Sequence, residues 1–482
     1  MVNRKVPRIM STQHPDNVTI PFFSESPILR GDDEVKEAYY VFSHLGCDEQ
    51  MWDYEGKDAD AYVVRKLLYR YPQFFRDNIL GKDIFLTFRV PNPSIEKNEA
   101  KITLEVLESI PRNYDYIKFF YSSDPSSVFE VILPMVSNSQ ELEMLHQYYS
   151  EFVVGKSKKK VGDTIIENWV GEFKPEKINV IPLFEDKKYL INCDKILKEF
   201  VENKDFEYLR VFLAKSDLSM NYGGFSSDVY LRIALYNLRC MEEETGIKIY
   251  PIVGFGSPPF RGNLRPENAE LIAKKWRSVF TFTIQSAFKY DNPEKNVMKA
   301  IKKIKYVKPS INKIIDEEDN KSLAELASQA YRKSVVMLSK IVNALSVYVP
   351  RRRERKLHIG LFGYSREVNG VYLPRAIPFC CALYSLGIPP ELAGLGLLED
   401  KVLCEIVNLY KDEIEFALKF FNKNVCKKLG FEKIYPLKLE QYGFEVSNFK
   451  LAEEIYDAFR KNRLNILSEK ILESARFRRF LG

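Results

Sequence analysis

Four histidines occur in the 482 residues, and one of them, His14, closes the stretch "RIMSTQH" (8–14) just before a proline. A lone histidine at a strand end is most often a hydrogen-bonded structural residue. It becomes a general base when other ionisable groups converge on it. Glu185 in "IPLFED" and Asp217 in "AKSDLSMNYGG" each follow an apolar run. Two carboxylates from neighbouring strand ends supply hard oxygen ligands to Mg²⁺ and leave positions for water and substrate. Either carboxylate would otherwise pair with a nearby arginine or lysine. Arg89, Arg261, Arg366 and Arg375 are planar, permanently charged donors suited to phosphate and carboxylate groups. Gln285 and Lys289 in "QSAFKYD" are candidates to line the same cavity, with Lys289 equally placed to pair with Asp291. A divalent ion and several arginines are what a small phosphorylated carboxylic acid requires.

These groups share one site only if a fold brings them to one face. Apolar runs suited to buried strands occur at 6–15, 83–92, 128–137, 178–186, 209–217, 247–262, 279–291 and 356–366. Between them lie helically spaced segments, among them 58–75, 226–244 and 266–276. Asn138 with Glu141 three residues on reads as a helix start, and Pro266 suits a first helical position. Strands alternating with helices predict a (β/α)₈ barrel, whose active site lies at the C-terminal ends of the strands. His14, Arg89, Glu185, Asp217, Arg261, Lys289 and Arg366 all stand at such ends. The alternation is interrupted by an insertion at 292–350, which carries a long helix. The chain then divides into a catalytic barrel over 1–372 and a helical region over 373–482 that completes the active site. "DEQMWDYEGKD" (48–58) reads as a loop forming a lid or wall of the site, or else as a buried Trp52 with a charged rim of Asp53, Glu55 and Lys57.

Composition narrows the classes. Hydrophobic residues make up 45% and charged residues 29% of the chain, which is globular rather than disordered. The net charge of +6, from 72 basic and 66 acidic side chains, is too mild for a nucleic-acid-binding signature. "RRRERK" (351–356) and "RFRRF" (476–480) are short basic stretches. A non-enzymatic binder of RNA or of a membrane surface would have to use them, and neither partner is expected. Seven scattered cysteines without CxxC spacing argue against a disulfide framework or a zinc site. With no signal peptide or membrane-spanning run, a cytoplasmic location is expected. Gly155-Lys156-Ser157 lacks the earlier glycine of a phosphate loop, and "GFGSPPFRG" lacks the third glycine of a dinucleotide turn. The latter makes sense as a rigid turn that presents Arg261.

The ordered set "TQHPDN", "FRVPNP", "PLFED", "SD…NYG", "GSPPFRG", "QSAFKYD" and "LPRAIPF" resembles archaeal-type phosphoenolpyruvate carboxylase, from about residue 8 to the end of the chain. The larger bacterial and plant enzymes are similar only locally. Their glycine-rich loop carries two arginines where "GFGSPPFRG" has one, and the resemblance does not identify the cation that stands in for the second. It implies conversion of phosphoenolpyruvate and bicarbonate to oxaloacetate and phosphate through carboxyphosphate, with Mg²⁺ or Mn²⁺ held by Glu185 and Asp217. Arg89, Arg261 and Arg375 would hold the phosphate, Arg366 the carboxyphosphate, and His14 would take its proton. The resemblance also implies a homotetramer. The alternative is another phosphoenolpyruvate-using barrel, a pyruvate kinase or a phosphoenolpyruvate mutase relative.

Overall fold

The computed structural model describes residues 5–123, 128–310, 317–355, 367–368, 370–435, 439–446 and 448–482. Eight strands close a barrel: β1 (Ile9–Ser11), β2 (Glu49–Asp53), β3 (Phe85–Arg89), β4 (Glu130–Leu133), β5 (Asn179–Phe184), β6 (Tyr208–Ala214), β7 (Lys248–Gly254) and β8 (Thr281–Ile284). All neighbours run parallel in chain order, and β8 pairs with β1 to close the ring. The (β/α)₈ reading holds, with one strand corrected. β2 lies within the stretch taken for a loop, while the run expected as the eighth strand, 356–366, falls outside the described residues. "EQMWD" has no β-branched residue and two acids, so no pattern marks it as a strand. It is buried throughout because its acids find cationic partners on other strands.

Period-two alternation sorts the barrel interior into layers. On β2, Glu49, Met51 and Asp53 share a face, and the register sets them beside Phe85, Thr87 and Arg89 of β3. Met10, Met51, Ile132, Ile181, Leu183, Phe212, Ala214 and Ile252 form the apolar middle layer. Below it, Arg210 bonds Glu49 (2.8 and 2.7 Å), Glu130 (2.6 Å) and Thr281 (3.3 Å), and the Thr87 hydroxyl also donates to Glu49. Above it lie Asp53 and Arg89. The middle layer separates two charged layers and keeps water from joining them.

The helix expected over 58–75 breaks in two, Val63–Arg70 and Pro72–Asp77, because Pro72 opens a new first turn. Asn138 does cap its helix, accepting the Glu141 N–H at 3.1 Å. Pro266 precedes its helix, Ala269–Lys275, by a turn. The long helix of the insertion runs Glu317–Ser346. Its Ala327, Tyr331, Val335, Leu338, Val342 and Leu345 recur at helical spacing and pack in a second core with the helices beyond residue 373, not in the barrel's core. Among the described residues no single helix is long and apolar enough to cross a membrane. All seven cysteines are free.

Each basic stretch turns some of its arginines inward, while Arg351, Arg476 and Arg479 stay exposed. Arg352 donates to the Val18 carbonyl, Arg353 pairs with Glu34 and Glu37 at 2.6 and 2.7 Å, and Arg478 bonds Ser474 and the Leu481 carbonyl. These three guanidiniums are buried.

Candidate active site

The C-terminal end of the barrel gathers the charged groups singled out by the sequence, together with several that were not. His14 follows β1, and its Nδ1 lies 2.9 Å from the Thr12 hydroxyl. That hydroxyl also lies 3.4 Å from the Ile284 carbonyl, which accepts the Thr12 N–H at 3.0 Å. Burial drives the His14 pKa well below that of a free histidine, and Arg89, Arg355 and Arg261 lower it further against the opposing charge of Asp53. The imidazole is neutral at physiological pH.

Arg89, the last residue of β3, lies side-on to Asp53, with Nε to Oδ1 at 2.9 Å and Nη2 to Oδ2 at 2.8 Å. Its Nη1 meets Glu55 at 3.0 Å. Burial acts first on both groups and each partner's charge next, and the pair stays ionised: against burial, the Arg89 guanidinium holds Asp53 far below the usual carboxylate range. Glu55 moves the other way, pushed up by burial. Glu96, beyond β3, is pushed up to about 8 by burial and by the charge of Glu55. Arg375 caps the helix Ala376–Ser385 and acts electrostatically on both Glu55 and Glu96, which places it at this mouth.

Arg261 sits in the short turn Pro259–Arg261 after β7 and is 1% exposed. Its Nε donates to Ser216 (3.0 Å), Nη2 to Gln285 (2.5 Å) and Nη1 to the Gly482 carbonyl, with Asp16 3.6 Å away. Gly262 has φ +118°, and a Cβ there would lie 2.3 Å from the Phe255 ring, so the turn requires glycine. The helical region supports it from outside, where Glu391 accepts the Phe260 N–H (2.7 Å) and the Tyr384 hydroxyl (2.7 Å). Gln285 is thus joined to Arg261. Lys289 is buried, with its three donors on Ser11, the Thr12 carbonyl and Glu37, each at 3.0 Å. Asp291, the other partner considered for it, instead accepts the Val18 and Thr19 N–H groups. Arg366 lies outside the described residues.

Glu185 follows β5, and Asp217 lies in the first turn of the helix Ser216–Tyr222 after β6. β5 and β6 are neighbours, and Glu185 also acts on the electrostatics of Arg89. Among the described residues no group of three or more histidines, cysteines or acids could hold a metal. Glu185 and Asp217 are two hard carboxylates after adjacent strands, a pair that would fit an ion drawing its other ligands from water and substrate.

Asp53 and Glu55, from the stretch read as a lid or wall or else as the charged rim of a buried Trp52, lie beside Arg89 at the strand ends. Trp52 points instead into the packing around the barrel, where its Nε1 donates to the Asp60 carbonyl and Lys57 lies 5.2 Å over its ring. Patterning missed Asp16, Glu96 and Arg355. Arg355 was hidden in a run that reads as a solvated basic patch. Asp16 had only its nearness to His14 to mark it.

A barrel with a neutral histidine, paired acids and converging guanidiniums at its mouth defines an enzyme of small polyanions. Comparison with known proteins specifies which. Residues 6–482 match the family model described as phosphoenolpyruvate carboxylase. The phosphoenolpyruvate carboxylase of Methanothermobacter thermautotrophicus is 50% identical over 99% of this chain and 100% of its own length. That of Pyrococcus furiosus is 49% identical over 99% and 100%, and that of Halobacterium salinarum 44% identical over 99% of each. The chain belongs to the phosphoenolpyruvate carboxylase family, and membership is consistent with a divalent metal cofactor.

Proposed function

We propose that the mouth of the barrel joins bicarbonate-derived carbon to phosphoenolpyruvate, with His14 as the base and Glu185 and Asp217 as the ligands of Mg²⁺ or Mn²⁺. The observation that carries this reading is His14, its pKa driven low by burial and by the guanidiniums of Arg89, Arg355 and Arg261 around it. Bicarbonate attacks the phosphoryl group, and phosphate charge in transfer is stabilised by preorganised cations. Arg375 and Arg261 supply that field, with Gln285 fixing the Arg261 guanidinium. Arg89, held side-on by Asp53 with its Nη1 3.0 Å from Glu55, keeps those acids in place and adds its charge to the field. A divalent ion supplies Lewis-acid neutralisation of developing oxygen charge. His14 takes the proton of carboxyphosphate, CO₂ is released beside the enolate, and carbon–carbon bond formation gives oxaloacetate and phosphate. Arg366 has the role of holding carboxyphosphate. Lys289, with every donor occupied, anchors β1 against the helix Asp32–Tyr40 rather than reaching substrate.

In this reading the chain works in the cytoplasm as a homotetramer. The test is a coupled oxaloacetate assay with phosphoenolpyruvate, bicarbonate and Mg²⁺, with and without chelator. Activity should vanish with chelator. Glu185→Gln and Asp217→Asn should each lose about a thousandfold, several kcal/mol of charge stabilisation. Unchanged Mg²⁺ dependence in either variant removes that residue from the metal site.

A further inference from the structure

The turn that presents Arg261 contributes a single arginine, and Arg355 is a further guanidinium that, like Arg261, acts on His14. We propose that Arg355 is a substrate-binding residue whose side-on fork holds the phosphate of phosphoenolpyruvate. The proposal rests on the reading of this mouth as the phosphoenolpyruvate site.

Three observations lead to Arg355. First, it is anchored from one edge only. Nη1 donates to Asp53 Oδ2 at 2.8 Å and to the Glu55 carbonyl at 3.0 Å. Nη2 has one long contact, 3.4 Å, to the carbonyl of Gln13, the residue before His14. Among the described residues Nε has no partner, so the Nε–Nη2 edge, which Arg89 uses to grip Asp53, is left open on Arg355. That edge matches the geometry of two phosphate oxygens.

Second, it is a further cation on a carboxylate that is already gripped. Asp53 is held side-on by Arg89, whose Nη1 also meets Glu55, yet the same Oδ2 also receives Arg355, both at 2.8 Å. Two guanidiniums on one buried carboxylate repel each other at low effective dielectric. An anion bound across the second one relieves that repulsion.

Third, Arg355 is accessible where its neighbours are not. Its side chain is 15% exposed, against 9% for Arg89 and 1% for Arg261. The preceding residues explain how it stays poised: Arg352 is tied to the Val18 carbonyl and Arg353 to Glu34 and Glu37, so the segment is pinned just before it reaches the mouth.

Phosphoenolpyruvate binding is measured by calorimetry with Mg²⁺ and without bicarbonate, so that no turnover occurs. Arg355→Gln should weaken binding by about ten- to hundredfold. Arg355→Lys, which keeps charge but not the fork, should fall between Arg355→Gln and wild type. Arg352→Gln, three residues away and tied only to backbone carbonyl oxygen, should bind as wild type does. Wild-type affinity in Arg355→Gln overturns the assignment. So does a loss in Arg352→Gln equal to that in Arg355→Gln, which would trace the effect to the fold of the segment. A wild-type protein that does not bind phosphoenolpyruvate overturns the underlying reading and the proposal with it.

Discussion

The two ends of the barrel are built from the same side chains in different arrangements. At the lower end one arginine, Arg210, serves two carboxylates, Glu49 and Glu130, and all three are buried. At the mouth two arginines, Arg89 and Arg355, converge on one carboxylate, Asp53, and Arg89 also meets Glu55. In the lower cluster both Nη atoms of Arg210 are spent on the two acids and Thr281, and Thr87 donates to Glu49. The mouth leaves one edge of Arg355 open among the described residues and surrounds a histidine of lowered pKa with cations. Guanidiniums beside a neutral base suit it to receive a polyanion. A buried arginine shared by two acids suits the lower end to hold strands in register. The difference lies in arrangement, not in residue type.

The largest effect that separates the two ends should come from His14→Asn. We expect oxaloacetate formation to fall by about 10²- to 10⁴-fold, with the unfolding midpoint unchanged. In the proposed reading the arginines and the metal ligands carry phosphoryl transfer, so phosphate and pyruvate should still appear when bicarbonate is present. Parallel assay of oxaloacetate, pyruvate and phosphate checks this. Oxaloacetate at the wild-type rate would show that the base lies elsewhere.

The lower end should respond in the reverse manner. Arg210→Met leaves Glu49 and Glu130 facing one another without a cation, and breaking a buried pair in this way costs about 3–5 kcal/mol. Burial and the charge of Glu130 already raise the Glu49 pKa with Arg210 present. Denaturant unfolding should show the loss, while KM for phosphoenolpyruvate in the folded fraction stays unchanged. A raised KM with normal stability would mean that the middle layer of Met51, Phe212 and Ile252 does not insulate the two ends.

Much of this division was legible in the sequence, and the part that was not has a common cause. Strand ends carrying His14, Arg89, Glu185 and Asp217 were readable because apolar runs with a polar terminus mark a parallel barrel whichever strands they pair with. β2 was not readable. Its acids are tolerated inside only because Arg210 and Arg89, on β6 and β3, neutralise them, and that pairing is set by register across the barrel. Arg352, Arg353 and Arg355 failed in the same way. A run of arginines reads as solvated until the helix carrying Glu34 and Glu37 and the strand carrying Asp53 are brought beside it. Sequence pattern reports burial of apolar surface. It is blind to burial of charge, because charge is buried in pairs and the partners lie far apart in the chain.

The smallest expected effect is also the most direct reading of how the mouth's charges are arranged. The acid limb of kcat/KM reports the essential base of the free enzyme. Burial first, then Arg89, Arg355 and Arg261, hold the His14 pKa low, with Asp53 opposing them. The wild-type limb should therefore lie below the value of about 6.5 for a free histidine. Below that limb the imidazole is protonated and cannot act as a base, so activity falls as the solution becomes more acid. Arg355→Gln removes one positive neighbour, makes the protonated ring easier to form, and should move the limb up by a fraction of about one unit. Asp53→Asn removes the opposing negative charge and should move it down. Glu49→Gln, at the other end of the barrel, should leave it in place. Shifts of opposite sign from the two mouth variants cannot arise from general loss of structure. A limb that stays fixed in both variants would place the ionisation it reports on a group other than His14.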